Sequence, residues 1–370
     1  MISKHFFLNL INVILLSFSV ISTDSFKFEN SILNNSNYVV LGLLMLFFAL
    51  SFVYEKSSIN DFLFMVVLII LSLTISFNSK STKMLFLVIY ILSARSLTVN
   101  QALFDLFLSK IFVILITFGL FLSGHLMDLN NNEVGRHSFG FGQPNILGAT
   151  VFVFEIILIT HLTVNKKNSF LELLLSTLIQ IPMLFFLIES GSSSSIICLG
   201  LFLIVLISRK IISKERVLTF LENMIIVGVP TISLFLLNNE VDVNGSLLFN
   251  ANTLLTNRLH LSFVFFKEYG FKIWGQEINY NFNLSQVNTY AFLDNAYIEL
   301  LVHYGVVAFL LVIGYHLIIR SKALKYNFDY IIPLILTLSI YGFVEQGYDQ
   351  FWINPIFGMS SLIFLKKAKI

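Results

Sequence analysis

The chain has 370 residues, of which 56% are hydrophobic and only 12% charged, with mean hydropathy +0.85 and formal net charge +2. A soluble domain carries roughly 25% charged residues, so this composition excludes a water-soluble globular protein and points to an all-α, polytopic integral membrane protein. The net charge gives no footprint for nucleic acid, the single Cys198 rules out an intramolecular disulfide, and no Cys/His cluster suggests a structural metal.

The N-terminal stretch MISKHFFLNLINVILLSFSVIST has one lysine before its apolar run and no small-x-small cleavage site. With further spans behind it, it reads as a retained first transmembrane helix rather than a signal peptide. A crossing helix needs about 20 apolar residues. Twelve candidate spans follow in chain order, near 6–22, 38–54, 61–77, 84–99, 110–126, 145–164, 170–188, 194–208, 217–237, 296–319, 330–345 and 352–365. Residues 1–370 thus form one membrane-embedded domain, with a single large loop, 238–295, between the ninth and tenth spans.

Lysine and arginine concentrate on cytoplasmic flanks. With the N-terminus inside, 16 of the 23 basic residues fall on inner segments, Lys110 among them. The outer segments hold Lys27, Lys80, Lys83, Arg136, Arg258, Lys267 and Lys272. Both termini are therefore expected in the cytoplasm of a multi-pass cell-membrane protein, and the 238–295 loop outside. No Walker-type loop is present, so chemistry is expected on the outer face without ATP.

Four outward stretches combine polar side chains with glycine. In RHSFGFGQPNILG, Arg136–Gly148, the glycines permit close backbone approach and Pro144 suits a first helical turn. Arg136 offers a fork matched to phosphate, the alternative being an arginine snorkelling to headgroups. In ESGSSSSI, Ser192–Ser195 fall at a helix N-terminus, which favours an anion or is simply capped by serine. In NTLLTNRLHLSFVFFKEYGFKIWGQ, Leu254, Leu255, Leu259, Phe263 and Phe266 recur at helical spacing, as in an amphipathic helix lying on the membrane face, with Arg258 on it. In FLDNAYIELLVHYG, Asp294 and Asn295 precede the tenth span as possible caps. Glu299 and His303 are four apart on one face of it, facing a cavity or pairing with each other. Glu155 and Glu345 raise the same question. There is no Asp-x-Asp, and DLNNNE at Asp128 lacks the glycine and closing glutamate of a calcium loop.

The order RHSFGFGQPNILG, SGSSSS, TNRLHLSFVFFKEYGFKIWG, LDNAYIELLVHYG resembles the O-antigen polymerase and ligase superfamily, in particular the Wzy-type repeat-unit polymerases, over about residues 130–305. The resemblance implies a GT-C-like helical fold. It implies a glycosyltransferase that polymerises undecaprenyl-pyrophosphate-linked oligosaccharide repeat units into a capsular, exopolysaccharide or O-antigen-type chain, with no cofactor and no metal. It implies Arg136 and Arg258 on the departing pyrophosphate and Asp294 as general base, with Glu299 or His303 as rivals. His137, Asn145, Ser192, Ser193, Ser194, His260, Asn295, Tyr297, Glu299 and His303 then fall on the substrate-binding surface. Besides the lipid-linked glycans and the bilayer, a chain-length regulator and a flippase of the same pathway are the implied partners. The chain departs from the family in reading SSSS where members often carry Ser-Arg. Asp294 stands where related ligases tend to have histidine, which favours a polymerase. The competing readings are a ligase-like transfer of a finished glycan to another acceptor, and a lipid-linked oligosaccharide flippase. A transporter should show pseudo-symmetric halves with helices broken at the midplane, whereas here the polar residues gather on one face.

Overall fold

The computed structural model describes residues 5–23, 36–55, 57–128, 135–164, 170–212, 215–237, 252–253, 255, 258–280 and 293–364. Among the described residues the regular structure is all helical, with no strand. The bundle consists of α1 (Phe6–Thr23), α2 (Ser36–Tyr54), α3 (Ile59–Ser79), α4 (Lys83–Ala94), α5 (Val99–Leu122), α6 (Pro144–Val164), α7 (Phe170–Glu189), α8 (Ser193–Ile211) and α9 (Glu215–Leu236). It continues with α10 (Arg258–Tyr269), α11 (Ala296–Glu299), α12 (Gly305–Lys325), α13 (Ile332–Val344) and α14 (Ser361–Phe364). Capping boxes start α3 (Ser58 with Asp61) and α5 (Thr98 with Gln101), and α6 begins at Pro144 as the sequence indicates.

Among the described residues, seven helical runs are long and apolar enough to cross a membrane, and shorter apolar helices occupy 6–22, 83–94, 176–189, 329–344 and 355–364. Helix α6 and the Ala296–Lys325 run are enclosed by the others, each 72% buried, whereas α2, α3, α8 and α9 expose most of their apolar surface. That surface suits lipid, the solvent in which a helical backbone satisfies its own polar groups.

Four boundaries differ from expectation. Helix α5 starts at Val99, not near 110, because Lys110 is not a flank. It lies inside the helix, buried, and donates to the Trp352 carbonyl at 2.6 Å. Helix α4 has 12 residues, about 18 Å of rise, and stops before Arg95. The Arg95 guanidinium turns back over the Phe52 ring and donates to Ser57 Oγ at 2.6 Å.

The tenth span is broken. A π turn at Leu300–Tyr304 is followed by Gly305 at φ +90°. The break is filled by the stretch after α10: Val306 and Val307 N–H donate to the Lys272 and Ile273 carbonyls, and Gln276 N–H to that of His303. Gly275 and Gly305 meet backbone to backbone, and a Cβ on Gly275 would lie 2.5 Å from the His303 oxygen.

The region 352–365 is not one helix. It runs as a 3-10 turn at Pro355–Met359 and the short α14, almost wholly buried. Asn354 holds the turn, accepting from Ile356 N–H and donating to the Tyr348 carbonyl.

Helix α10 forms, and one face of it packs on protein. Phe265 joins Leu237, Ile278, Leu293, Ile298 and Val302 in a small second core. Leu254 lies outside the described residues.

Candidate functional site

The site begins where α11 starts. Asn295 is the cap: its Oδ1 accepts from Tyr297 and Ile298 N–H, and its Nδ2 donates to Ser233 Oγ on α9. Asp294 is thereby left out of the capping. Its Oδ2 lies 3.0 Å from Arg258 Nε, at the start of α10. The same guanidinium lies 3.0 Å from Glu345 Oε1 and donates to the Val344 carbonyl. Glu345 also accepts from Ser194 Oγ at 2.6 Å. One chain of polar contacts, Ser194–Glu345–Arg258–Asp294, thus links α8, the end of α13, α10 and the entry to α11. Gln346 Nε2 donates to the Leu293 carbonyl and braces the residue before Asp294. Burial pushes the Asp294 carboxyl up to about 6, against the pull of Arg258.

The 136–148 stretch docks on the serine run. Arg136 donates from Nε to the Ser190 carbonyl at 2.9 Å and from Nη2 to Asn145 Oδ1. Its stem lies over Gly191, at φ +57°, where a Cβ would come within 2.8 Å of Arg136 Cγ. Gly148 similarly lets α6 meet Ser192, since a Cβ there would sit 2.3 Å from that of Ser192. His137 Nδ1 is 2.6 Å from Asp128 Oδ2, and Asp128 Oδ1 accepts from Ser138 and Phe139 N–H. Burial would raise the Asp128 carboxyl, but its hydrogen bonds from His137, Ser138 and Phe139 outweigh that and hold it low. The hydrogen bond to Asp128 holds His137 high. Asp128 is therefore the anchor of this turn; residues 129–134 of DLNNNE lie outside the described residues.

Above these contacts opens a cavity of about 640 Å³, walled by the C-terminal ends of α1 and α3, the N-terminal ends of α2, α4 and α6, Asp294, and residues 341–353. All belong to one end of the bundle. Of the sequence-predicted site residues, Asp294 and Asn145 are on its wall. Arg136 and Arg258 are not; each is engaged by protein acceptors just behind it. The wall also carries Lys80, Lys83, Glu345 and Gln346.

The remaining predicted residues divide by packing. Glu299 and His303 do not pair, because the π turn between them alters the spacing that an α-helix would give. Glu299 Oε1 lies 3.5 Å from Lys83 Nζ. His303 Nε2 faces the Ser79 carbonyl at 3.1 Å, so it carries the proton, and Nδ1 accepts from Tyr280 OH. Tyr297 is buried and donates to the Ser339 carbonyl. Ser192 is buried and bonded to Ser195 Oγ, whereas Ser193 is exposed. The His260 backbone N–H is held by Asn252 Oδ1.

Four groups at this end escaped sequence reasoning: Lys80, Lys83, Gln346 and Asp349. For the lysines a clue was present, since they stand three apart on a flank that the sequence assigns to the outside, where the positive-inside bias disfavours them. Among the described residues, no group of three or more His, Cys, Asp or Glu is arranged to hold a metal ion. No family model and no curated protein matches the sequence.

Proposed function

We propose that the chain is a polymerase of lipid-pyrophosphate-linked oligosaccharide repeat units, acting at the outer face of the cell membrane. The observation that carries the reading is that two of the four outward stretches supply Asn145 and Asp294 to one cavity wall, while the other two touch wall residues through Ser194–Glu345 and Arg258–Asp294. Asp294 is on its wall and held by Arg258, and Asn145 is on its wall and held by Arg136. In this reading an acceptor sugar hydroxyl at the non-reducing end of one unit attacks the anomeric carbon of the growing chain. Asp294 takes the hydroxyl proton as the bond from that carbon to the pyrophosphate oxygen breaks, and undecaprenyl pyrophosphate leaves. The glycosyl-pyrophosphate bond supplies the driving force, so no nucleotide is consumed. Arg258 holds Asp294 ionised and aimed. Arg136 aims Asn145, and both arginines add positive potential behind the wall for the leaving group.

The test is deletion of the gene followed by sizing of the surface glycan, which should collapse to single repeat units. Full-length chains left unattached would point instead to a ligase, and loss of every outward-facing unit to a flippase. Purified protein given lipid-linked repeat units should elongate them in EDTA without nucleotide.

The proposed arrangement has twelve crossings in a GT-C-like bundle, both termini cytoplasmic and the cavity end outside, next to a flippase and a chain-length regulator. Its orientation is checked in a Cys198→Ala background with Glu277→Cys and Lys325→Cys, both exposed positions. An impermeant thiol reagent on intact cells should label the first and spare the second; the reverse pattern inverts the topology and removes the site from the outer face.

A further inference from the structure

We propose that Lys80 and Lys83, on the turn between α3 and α4, form the subsite that grips the pyrophosphate of a lipid-linked substrate. This deepens the polymerase reading and rests on it for the identity of the lipid.

The cations that reach the cavity wall are these two lysines, and neither arginine does. Lys80 ends α3 in the left-handed conformation, φ +55°, which turns the chain sharply and leaves its side chain exposed. Lys83 begins α4, with its side chain 38% exposed. Thr82, the residue before α4, makes no side-chain cap bond. Ser81, Thr82 and Lys83, where that helix begins, all line the cavity, so its positive end faces the same space. The N-terminal end of α6, with Gln143 and Asn145, forms another part of the wall. Two lysines and two helix N-termini around one cavity of mixed lining make a site for a dianionic or trianionic group, larger than a single carboxylate needs.

Beneath Lys83 lies the means of fixing it. Glu299, 1% exposed, sits 3.5 Å from Nζ. Asp349, 4% exposed, lies beside this pair with both carboxylate oxygens lacking a hydrogen-bond partner. Burial pushes the Asp349 carboxyl up to about 8, and Glu299 adds to the shift. Burial therefore favours the neutral form of Asp349, and Glu299 is the carboxylate that faces Lys83. Lys80 makes no ion pair with a carboxylate among the described residues, whereas Lys83 faces Glu299. Asp294 lies on the same wall, so one cavity holds both the leaving group's cations and the base.

The test measures binding without turnover, using inorganic pyrophosphate and farnesyl pyrophosphate as probes on purified full-length protein in detergent. Farnesyl pyrophosphate should bind, more weakly as salt is raised, and inorganic pyrophosphate should compete with it. Lys80→Gln and Lys83→Gln should each weaken binding by about tenfold or more, the loss expected for a charge-assisted contact, while Lys272→Gln leaves it unchanged. Lys80→Gln removes no ion pair among the described residues, so it reads the subsite even if Lys83→Gln destabilises the fold. Pairing Lys83→Gln with Glu299→Gln restores charge balance and should still bind poorly. Unchanged affinity in Lys80→Gln and in the double variant overturns the proposal, as does binding lost only in Arg136→Gln. Lysine-dependent binding in a protein whose deletion leaves glycan length unaltered keeps the subsite and rejects the polymerase.

Discussion

Asp294→Asn should abolish chain elongation while leaving the protein folded in the membrane. The helix cap belongs to Asn295, so the amide costs α11 nothing, and Arg258 keeps Glu345 as a partner. What disappears is the basicity, and a positioned general base contributes roughly 100- to 10,000-fold. The wild-type rate should fall about tenfold per pH unit below about 6, where burial has brought the Asp294 carboxyl, and should level off above it. The sign of the stability effect is opposite. The folded value is raised, so the native state keeps a proton that the unfolded chain has lost. This contribution is present in acid and declines as the pH rises through about 6. An elongation rate with no acid limb, or an active Asp294→Asn enzyme, would remove Asp294 from the mechanism and leave it an ion-pair partner.

The second large effect is expected at Arg258. Its alanine variant leaves Asp294 and Glu345 facing each other without the cation between them, at side-chain exposures of 12% and 11%. Removing one partner of such a buried network costs about 3–5 kcal/mol, measurable as a lowered thermal midpoint in detergent. The surviving activity should have its acid limb displaced to higher pH, because Arg258 is what lowers the Asp294 value while Glu345 raises it. Glu345→Gln should move that limb the other way. Lysine at 258 supplies one point charge where the guanidinium spans two carboxylates and the Val344 carbonyl, so it should rescue stability more than rate. A variant that folds poorly but keeps the wild-type pH profile would make Arg258 purely structural. Recovery of folding, without activity, in Arg258→Ala combined with Asp294→Asn and Glu345→Gln would show that the cost is the unbalanced charge.

Periodicity and hydropathy located most of the helices, because a 20-residue apolar run leaves the backbone few alternatives in lipid. Pro144 and the serine run marked helix starts for local reasons, and those starts are where the sequence indicates. The failures occur where a distant contact decides. Lys110 looks like an interfacial flank until the Trp352 carbonyl is in view. Glu299 and His303 look like an i, i+4 pair until the π turn separates them. Asp294 and Asn295 were interchangeable as caps, and only the reach of Arg258 to one of them tells them apart. The two arginines drew attention because a guanidinium matches phosphate. Their own carboxylate and carbonyl partners lie 36 to 87 residues away, in segments whose proximity no local pattern encodes. Lys80 and Lys83 sit in a turn that composition leaves unremarked, and only folding brings them to the cavity.

The buried, mostly non-α passage through residues 347–362 bears on how the protein is made. Its slot is bounded by α4, α5 and α12, all synthesised before it. Lys110 thus enters the membrane 242 residues ahead of the carbonyl that accepts its hydrogen bond, and His316 precedes Asn354 by 38. A lone lysine in a span disfavours its insertion by roughly 2.5–3.5 kcal/mol. During synthesis α5 is therefore a reluctant guest in the bilayer, held by its apolar neighbours or shielded by the insertion machinery. The slot is thus synthesised before the passage that fills it, and Lys110 waits for its partner until that passage is made.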